Sequence, residues 1–292
     1  MRQYLFSVAQ TSKSAVPRVS KPAYRDAGRP TWKSAIQQVW KPAPRQYMHR
    51  ILAFWLLAAL PALAAPQAPE PATGLGMAQQ IRDAFPEDTN SVQGILIISA
   101  AHQTKNVPIV CHVVIHDDSW EADYDTAATT NSGAEQLIVI HRPHAPNQYL
   151  YARAADASAP LPKPAPLSPE DAATTPLAGS DFSAGDLGLE FLHWPQQVKL
   201  KGEMRLGQPC YVLESRDPAA KSIVRVKSYI DKESNAPIVA EGYDAAGHEV
   251  KEFSLHGSSF KRVNGHWRLE NMDIRDKKNH SHTELKFDVI DK

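Results

Sequence analysis

The sequence lacks the short motifs that mark the common catalytic folds. It contains no Gly-x-Ser-x-Gly, no His-Glu-x-x-His, no P-loop and no Gly-x-Gly-x-x-Gly. Those motifs provide an exposed nucleophile, a zinc site, a phosphate cradle and a dinucleotide site, respectively. Without them the sequence offers no motif for catalysis and none for a cofactor. We therefore predict a protein that is not an enzyme and that has no cofactor.

Histidine is the residue type that keeps an enzymatic alternative open. His112 and His116 fall on one face of a predicted strand, beside Asp117-Asp118, and His280 and His282 share a face. Imidazole nitrogens of either pair could ligate a metal. Charged neighbours are also typical of a solvated strand face or a polar loop. A metal-dependent hydrolase is therefore the distant alternative, and we predict no metal site.

Acidic residues are scarce at the start of the chain. Residues 1–65 contain ten Lys/Arg and only Asp26 as an acid, a net charge of +9, whereas residues 66–292 contain 22 Lys/Arg and 31 Asp/Glu, a net charge of −9. Such a split indicates two different environments. The negative balance of the long part argues against binding to a phosphate backbone, so no nucleic-acid partner is expected.

No apolar run reaches the length of about 20 residues that a membrane-spanning helix needs. After the basic start at Met48, the run Ile51–Leu60 has ten residues, and an Ala-x-Ala site follows Pro61. This order predicts a signal peptide over residues 48–64, cleaved after Ala64, and a periplasmic protein. An uncleaved anchor or a buried helix is the alternative.

The predicted signal peptide divides the chain. Residues 1–47 are basic and Pro-rich, which predicts either a disordered extension or an upstream region that precedes a true start at Met48. Residues 65–76 form a Pro/Ala linker, and residues 77–292 are expected to form a single domain. No cysteine stands at the cleavage point, so the mature protein is not itself expected to be a lipoprotein.

The exported part has only two cysteines, Cys111 and Cys210, each in a strand-like run. In an oxidising compartment an even number of cysteines permits a disulfide. Two buried free thiols are the alternative, and the sequence does not decide between them.

The C-terminal third has the pattern of an antiparallel sheet. Thr283, Leu285, Phe287 and Val289 alternate with charged residues, which predicts a strand with one buried face. Asn264-Gly265 predicts a type I′ hairpin. About ten strands are predicted in all, with one N-terminal amphipathic helix and short helices that begin after Ser168 and Ser183.

A dense apolar cluster precedes that sheet. Its members are Phe182, Leu187, Leu189, Phe191, Leu192 and Trp194, and the sheet adds Tyr211, Leu213, Phe253, Leu255, Phe260, Trp267 and Met272. One interpretation is an ordinary core sealed by a helix. The other is an apolar pocket under a mobile helical lid. Periodicity does not separate the two.

Several short motifs of this region, in their order, resemble one protein family. They are Asp181-Phe182-Ser183, Asp186-Leu187, Phe191-Leu192 with Trp194, Cys210-Tyr211-Val212-Leu213-Glu214, Tyr229-Ile230-Asp231-Lys232, Ala240-Glu241-Gly242-Tyr243-Asp244 with Gly247, and Trp267 with Met272-Asp273-Ile274. The pattern is similar to that of the LolA-like family of outer-membrane lipoprotein-sorting proteins, over about Ser180–Ile290.

The resemblance implies a fold and a function. The fold is α+β, with a strongly curved antiparallel sheet that forms an unclosed, half-open β-barrel and helices that cover its open side. The function is carriage of lipid or lipoprotein acyl chains in an apolar cavity, without covalent chemistry. Inner- and outer-membrane lipoprotein-transfer components are the implied partners. A periplasmic sensor or protein-interaction domain on the same fold is the alternative.

The cavity and the lid would be formed by members of the apolar cluster. The candidate ligand-binding residues are Phe182, Leu187, Leu189, Phe191, Trp194, Tyr211, Leu213, Phe253, Leu255, Trp267 and Met272.

Overall fold

The computed structural model describes residues 73–130, 132–255, 259–263 and 266–288. The predicted basic extension, the predicted signal peptide and residues 65–72 of the predicted linker lie outside the described residues. Across the described ranges, no helix is both long enough and apolar enough to cross a membrane.

The described chain contains three α-helices, one 3-10 helix and fifteen strands. The helices are α1 (Gly74–Arg82), α2 (Pro169–Ala172), α3 (Ala184–Leu187) and the 3-10 helix Glu190–His193. The strands are β1 (Asn90–Ala100), β2 (Gln103–Ile115), β3 (Trp120–Thr126), β4 (Glu135–His141), β5 (Gln148–Arg153), β6 (Ala165–Leu167), β7 (Gln196–Arg205), β8 (Gln208–Arg216), β9 (Arg225–Asp231), β10 (Pro237–Tyr243), β11 (Glu249–Ser254), β12 (Phe260–Val263), β13 (His266–Leu269), β14 (Asn271–Asp276) and β15 (Ser281–Phe287).

Thirteen of these strands form one antiparallel sheet. Their order is β6-β5-β4-β3-β2-β1-β15-β14-β11-β10-β9-β8-β7, and β12 pairs with β13 in a separate hairpin. The sheet is curved, and its edge strands β6 and β7 do not pair with each other, so the barrel stays unclosed. The predicted fold class, α+β with a curved, unclosed antiparallel sheet, is confirmed.

The last strand has the predicted alternation. Thr283, Leu285 and Phe287 are buried, whereas the charged residues between them are not. Strand β15 pairs with β1, which places Leu285 opposite Leu96. The first and the last strand of the described chain are therefore neighbours in the centre of the sheet. Val289 lies outside the described residues.

The hairpin predicted around Asn264-Gly265 is present as β12 and β13, with Val263 opposite His266. The two turn residues themselves lie outside the described residues.

Four of the fifteen strands, β3, β6, β7 and β14, were missed by the sequence prediction. Strand β3 contains three acids, and β7 is rich in Lys and Gln, residue types that are depleted in strands. In β3 the apolar residues nevertheless alternate, because Ala122 and Tyr124 are buried between exposed or half-buried neighbours. In edge strand β7 every residue is exposed or half-buried, so its polar side chains lie outside the buried core.

The helix boundaries follow from local caps. Helix α1 begins at Gly74 because the Thr73 hydroxyl accepts a hydrogen bond from the Gly76 amide at 3.0 Å. Residues 74–76, predicted as the end of the linker, are therefore helical. The predicted caps at Ser168 and Ser183 are confirmed, since each side chain accepts from the amide three residues further on.

The inner face of the sheet carries two apolar clusters. The large cluster contains Leu96, Ile98, Val107, Ile109, Cys111, Ala122, Tyr124, Leu137, Val139, Tyr149, Ala172, Leu177, Ala178, Phe182, Ala184, Val263, Met272, Ile274, Leu285 and Phe287. The lid cluster contains Met77, Ala78, Ile81, Phe191, Leu192, Leu213, Val226, Ile230 and Ala240. Phe253 packs against both clusters.

The two cysteines do not form the disulfide that the sequence permits. Both are buried free thiols, and six strands lie between β2 and β8. Cys111 belongs to the large cluster on the inner face, whereas Cys210 packs with Val212 on the opposite face, since Leu213 of the same strand points inward. A disulfide requires neighbouring Cβ atoms directed at each other. The alternative of two buried thiols is the arrangement that the structure has.

Candidate functional site

The candidate site lies under residues 183–194, called here the lid segment. It consists of α3, a bend at Gly188-Leu189 and the 3-10 helix, and it covers the inner face of β9, β10 and β11. Ser183 and Asp186 form a capping box, in which each side chain accepts a hydrogen bond from the backbone amide of the other. Leu189 has a φ of 51°, and this left-handed residue ends α3 and directs Phe191 and Leu192 into the lid cluster.

The bend of the lid segment is fitted tightly to strand β5. A Cβ atom on Gly188 would lie 2.1 Å from the Tyr149 hydroxyl oxygen, so only glycine allows this approach. The side-chain amide of Asn147 donates to the Gly188 carbonyl at 2.7 Å, and the Tyr149 hydroxyl donates to Glu190 at 2.7 Å. These contacts fix the middle of the lid segment to the body of the protein.

Each end of the lid segment has a charged contact. At the N-terminal end, Lys251 Nζ of β11 lies 2.7 Å from Asp186 Oδ2. At the C-terminal end, Arg82 of α1 donates to His193 Nδ1 at 3.2 Å. The lid segment is thus attached to both the sheet and the N-terminal helix.

Burial sets the protonation of the polar groups beside the lid segment. Burial and the nearby Arg82 guanidinium lower the pKa of His193 to about 4, and burial together with His193 lowers the pKa of His141 to about 4. Burial raises the pKa of Glu190, and burial together with the Glu190 carboxylate raises that of Tyr149. At neutral pH both imidazoles are therefore uncharged, which suits His193 as the acceptor from Arg82.

An apolar pocket lies between the lid segment and the sheet. Its lining residues are Asp186, Leu189, Phe191, Ile223, Val226, Ala240, Gly242, Lys251 and Phe253. Its volume is about 30 Å³, whereas pockets that enclose small ligands measure about 300–1,000 Å³. The described structure therefore holds a crevice rather than a large cavity, and most of the apolar residues are packed as core.

The structure divides the predicted ligand-binding residues into two groups. Leu189, Phe191 and Phe253 line the pocket, and Trp194, Tyr211 and Leu213 belong to or pack against the lid cluster beside it. Phe182, Leu187, Leu255 and Met272 instead belong to or pack against the large cluster. The side chain of Trp267 lies outside the described residues.

Sequence reasoning missed the Asp186–Lys251 pair and four other residues that line the pocket. The missed lining residues are Asp186, Ile223, Val226, Ala240, Gly242 and Lys251. One signal was available for Lys251, since it stands two residues before Phe253 and period-two alternation puts both on the inner face. Nothing in the sequence pairs Lys251 with Asp186, which lies 65 residues away.

Among the described residues, none of the histidines proposed for a metal site belongs to a group of three potential ligands. His112 lies 3.7 Å from Asp125 and His116 lies 3.7 Å from Glu121, while His282 contacts Asp273. Within the described ranges, the one group of three potential ligands is Glu241, Glu249 and Glu252. Arg205 and Lys277 already neutralise those carboxylates.

A family model described as an uncharacterized protein matches residues 130–292, more than half of the chain. The chain belongs to that family. The fold of this chain is LolA-like. No curated protein matches the chain significantly.

Two of the similar solved structures match the fold of this chain with a TM-score above 0.5. A domain described provisionally as an outer membrane lipoprotein-sorting protein from Vibrio parahaemolyticus is 20% identical, with a TM-score of 0.58 over 74% of this chain and 90% of that one. A DUF1329 family protein from Desulfovibrio piger is 13% identical, with a TM-score of 0.57 over the same shares. A LolA superfamily protein from Nitrosomonas europaea is 17% identical, with a TM-score of 0.45 over 74% of this chain and 91% of that one. At these identities the likeness concerns the fold alone.

Proposed function

We propose that this protein binds an apolar chain, that of a lipid or a lipoprotein, between the lid segment and the inner face of the sheet. The observation that supports it is the apolar crevice there, where Leu189 and Phe191 of the lid segment face Phe253 of the sheet. The LolA-like fold, shared with a lipoprotein-sorting domain, agrees with such a role. Binding of this kind requires burial only, so the proposal includes neither a catalytic residue nor a cofactor.

The size of the crevice requires the lid segment to move during binding. Removing eleven methylenes of an acyl chain from water is worth about 9 kcal/mol. The contacts that would break include four polar ones, to Glu190, Gly188, Asp186 and His193. Three of them involve a charged group, at roughly 1.5–3 kcal/mol each, and the fourth is worth roughly 0.5–1.5 kcal/mol, so they sum to about 5–10 kcal/mol. Burial of a chain of that length is therefore comparable with the cost of opening.

The proposal includes an envelope location. The predicted signal peptide and cleavage after Ala64 would deliver the protein to the periplasm, where a soluble carrier of acyl chains would serve transfer between the inner and outer membranes. Inner- and outer-membrane lipoprotein-transfer components are the partners that such a role implies.

Native mass spectrometry of the exported protein, purified without detergent, tests the proposal. We expect adducts with the mass of lipids or acylated peptides, and we expect a fluorescent apolar probe to displace them stoichiometrically. Nonspecific adsorption of lipid to the protein surface is controlled by repeating the measurement after the protein is unfolded and refolded in lipid-free buffer. If neither adducts nor probe binding is found, the carrier function is wrong.

A second candidate function, interaction with a protein partner on the same fold, is favoured by the small pocket and by one exposed edge. Val198, Met204 and Leu206 are exposed on β7 and the turn after it, at 47%, 66% and 46%. The double variant Met204→Ser, Leu206→Ser should then abolish a complex isolated from the cell envelope and leave probe binding unchanged.

A further inference from the structure

Lys251 gives the pocket a single positive charge. Among the described residues that line the pocket it is the one cation, and Asp186 is the one anion. The two side chains are 18% and 24% exposed, so the pair is largely shielded from water. Lys251 comes from the sheet, whereas Asp186 comes from the lid segment.

Opening of the lid segment separates this pair. Asp186 would move with α3, because the Ser183 amide and hydroxyl both donate to its Oδ2 atom, at 2.8 and 2.7 Å. Asp276 stands opposite Lys251 in β14, but its carboxylate is held in the following turn by the amides of Lys278 and Asn279, and among the described ion pairs Lys251 has only the one with Asp186. The Lys251 ammonium would therefore lose its counterion in an apolar setting, which is costly unless another anion replaces it.

We propose that the ligand is an amphiphile whose anionic head group takes the place of the Asp186 carboxylate beside Lys251. Its apolar chain lies against Leu189, Phe191 and Phe253. The inference rests on the proposed function and specifies the chemical class of its ligand. A carboxylate and a phosphate share the required chemistry, since an ammonium binds either as a point charge.

Asp186 then has two roles. In the closed form it neutralises Lys251 and caps α3, and during loading it competes with the head group of the ligand. An anionic head group that replaces it regains a charge-assisted hydrogen bond, whereas a neutral head group leaves the ammonium unpaired.

Three probes with the same twelve-carbon chain test the inference: dodecanoate, dodecyl phosphate and dodecanol. Binding is measured by displacement of a neutral fluorescent apolar probe from the purified full exported protein, with the ligand-induced rise in Tm as a second readout. We expect at least one anionic probe to bind about tenfold or more tightly than dodecanol. The tighter of the two anions identifies a carboxylate or a phosphate as the preferred head group.

Lys251→Met keeps the aliphatic stem and removes the charge. It should abolish the preference for the anionic probes, and dodecanol should bind at least as tightly as to the wild-type protein, because opening no longer breaks the contact between Lys251 and Asp186. Asp186→Asn keeps the capping shape and removes the charge that holds Lys251 in the closed form, so it should tighten binding of all three probes, and that of the anionic probes at least as much as that of dodecanol. Lys286→Met, on the other face of the sheet and paired with Glu284, is the control for a general loss of positive charge.

Two results separate failure of the inference from failure of the proposed function. If all three probes bind equally, in the wild-type protein and in Lys251→Met, the inference is wrong and the apolar-chain function stands. If none binds, the proposed function falls as well. Should Lys251→Met fail to fold, Lys251→Gln provides the same comparison with a polar neutral side chain.

Discussion

At the scale of single residues, similar aromatic side chains have different roles here. Phe182 and Phe191 lie nine residues apart and belong to one apolar cluster of the sequence. In the structure Phe182 is 1% exposed within the large cluster, whereas Phe191 is 8% exposed and lines the pocket. Hydrophobicity was readable from the sequence, but the position of each ring relative to the pocket was not.

Truncation of these two rings distinguishes a binding pocket from a filled core. Phe191→Ala and Phe182→Ala should each lower the free energy of unfolding by about 3–5 kcal/mol, because each deletes a large buried side chain. Only Phe191→Ala should also weaken binding of an apolar fluorescent probe. Urea unfolding and probe titration measure the two effects. Unchanged probe affinity in Phe191→Ala would indicate that the ring is core alone.

At the scale of elements, the lid segment is held by close packing and by a few polar contacts. Helix propensity makes Gly188 a weak point for the helix that begins after Ser183. The structure shows instead that the absent side chain lets the lid segment lie on Tyr149. Loosening of this contact should therefore affect the lid segment more than the sheet.

Gly188→Ala should displace the lid segment, because the new methyl group would overlap the Tyr149 hydroxyl. We expect a loss of about 1–3 kcal/mol in the free energy of unfolding and faster amide hydrogen exchange over residues 183–194. The double variant with Tyr149→Phe should recover part of the loss, since it removes the nearest atom. Gly76→Ala, in the first turn of α1, is the matched control. Equal exchange in Gly188→Ala and wild type would contradict this account.

Acidification should also loosen the lid segment. The folded-state pKa values of His193 and His141, about 4, lie below the ordinary value of 6.5. Their stabilising contribution is present above pH 6.5 and is lost as the pH falls to about 4, because the unfolded chain binds the protons first. Glu190, with a raised pKa, acts in the opposite direction.

The measurement for this effect is urea unfolding at pH 7.0 and pH 4.5. His193→Asn keeps an acceptor for Arg82 and should reduce the difference between the two pH values. If the stability of His193→Asn falls with pH as steeply as that of the wild-type protein, the imidazole is not the group responsible.

At the scale of the whole molecule, the two edges of the sheet differ. Edge strand β6 has only three residues and includes Pro166, whereas β7 has ten residues and exposed apolar side chains. A short, proline-containing edge resists pairing with other chains. The β7 edge is covered in part by α1, whose Gly74 lies against Gln197 and Lys199.

Export remains a prediction from the sequence. Helix α1 begins at Gly74, so cleavage after Ala64 would leave nine residues, 65–73, before the first helical residue. We expect Ala65 as the N-terminus of the mature protein and recovery of the protein in the periplasmic fraction, by N-terminal sequencing and cell fractionation. A membrane-bound protein that retains residues 48–64 would show that the segment is an anchor.

The sequence by itself determined the features that depend on neighbours along the chain. The alternation of Thr283, Leu285 and Phe287 predicts a half-buried strand because successive side chains point to opposite faces. The caps at Ser168 and Ser183 were equally readable, since a cap satisfies amides only two or three residues away. The order of short motifs also gave the LolA-like fold.

Only the tertiary structure decided which distant residues meet. Strand β1 pairs with β15, nearly two hundred residues later, and Lys251 meets Asp186 from another element. Acid-rich β3 is a strand because cross-strand partners and burial of Ala122 and Tyr124 override its propensity. The small volume of the pocket likewise depends on how closely the elements pack against one another. Packing of that kind depends on three-dimensional fit, which periodicity and composition do not contain.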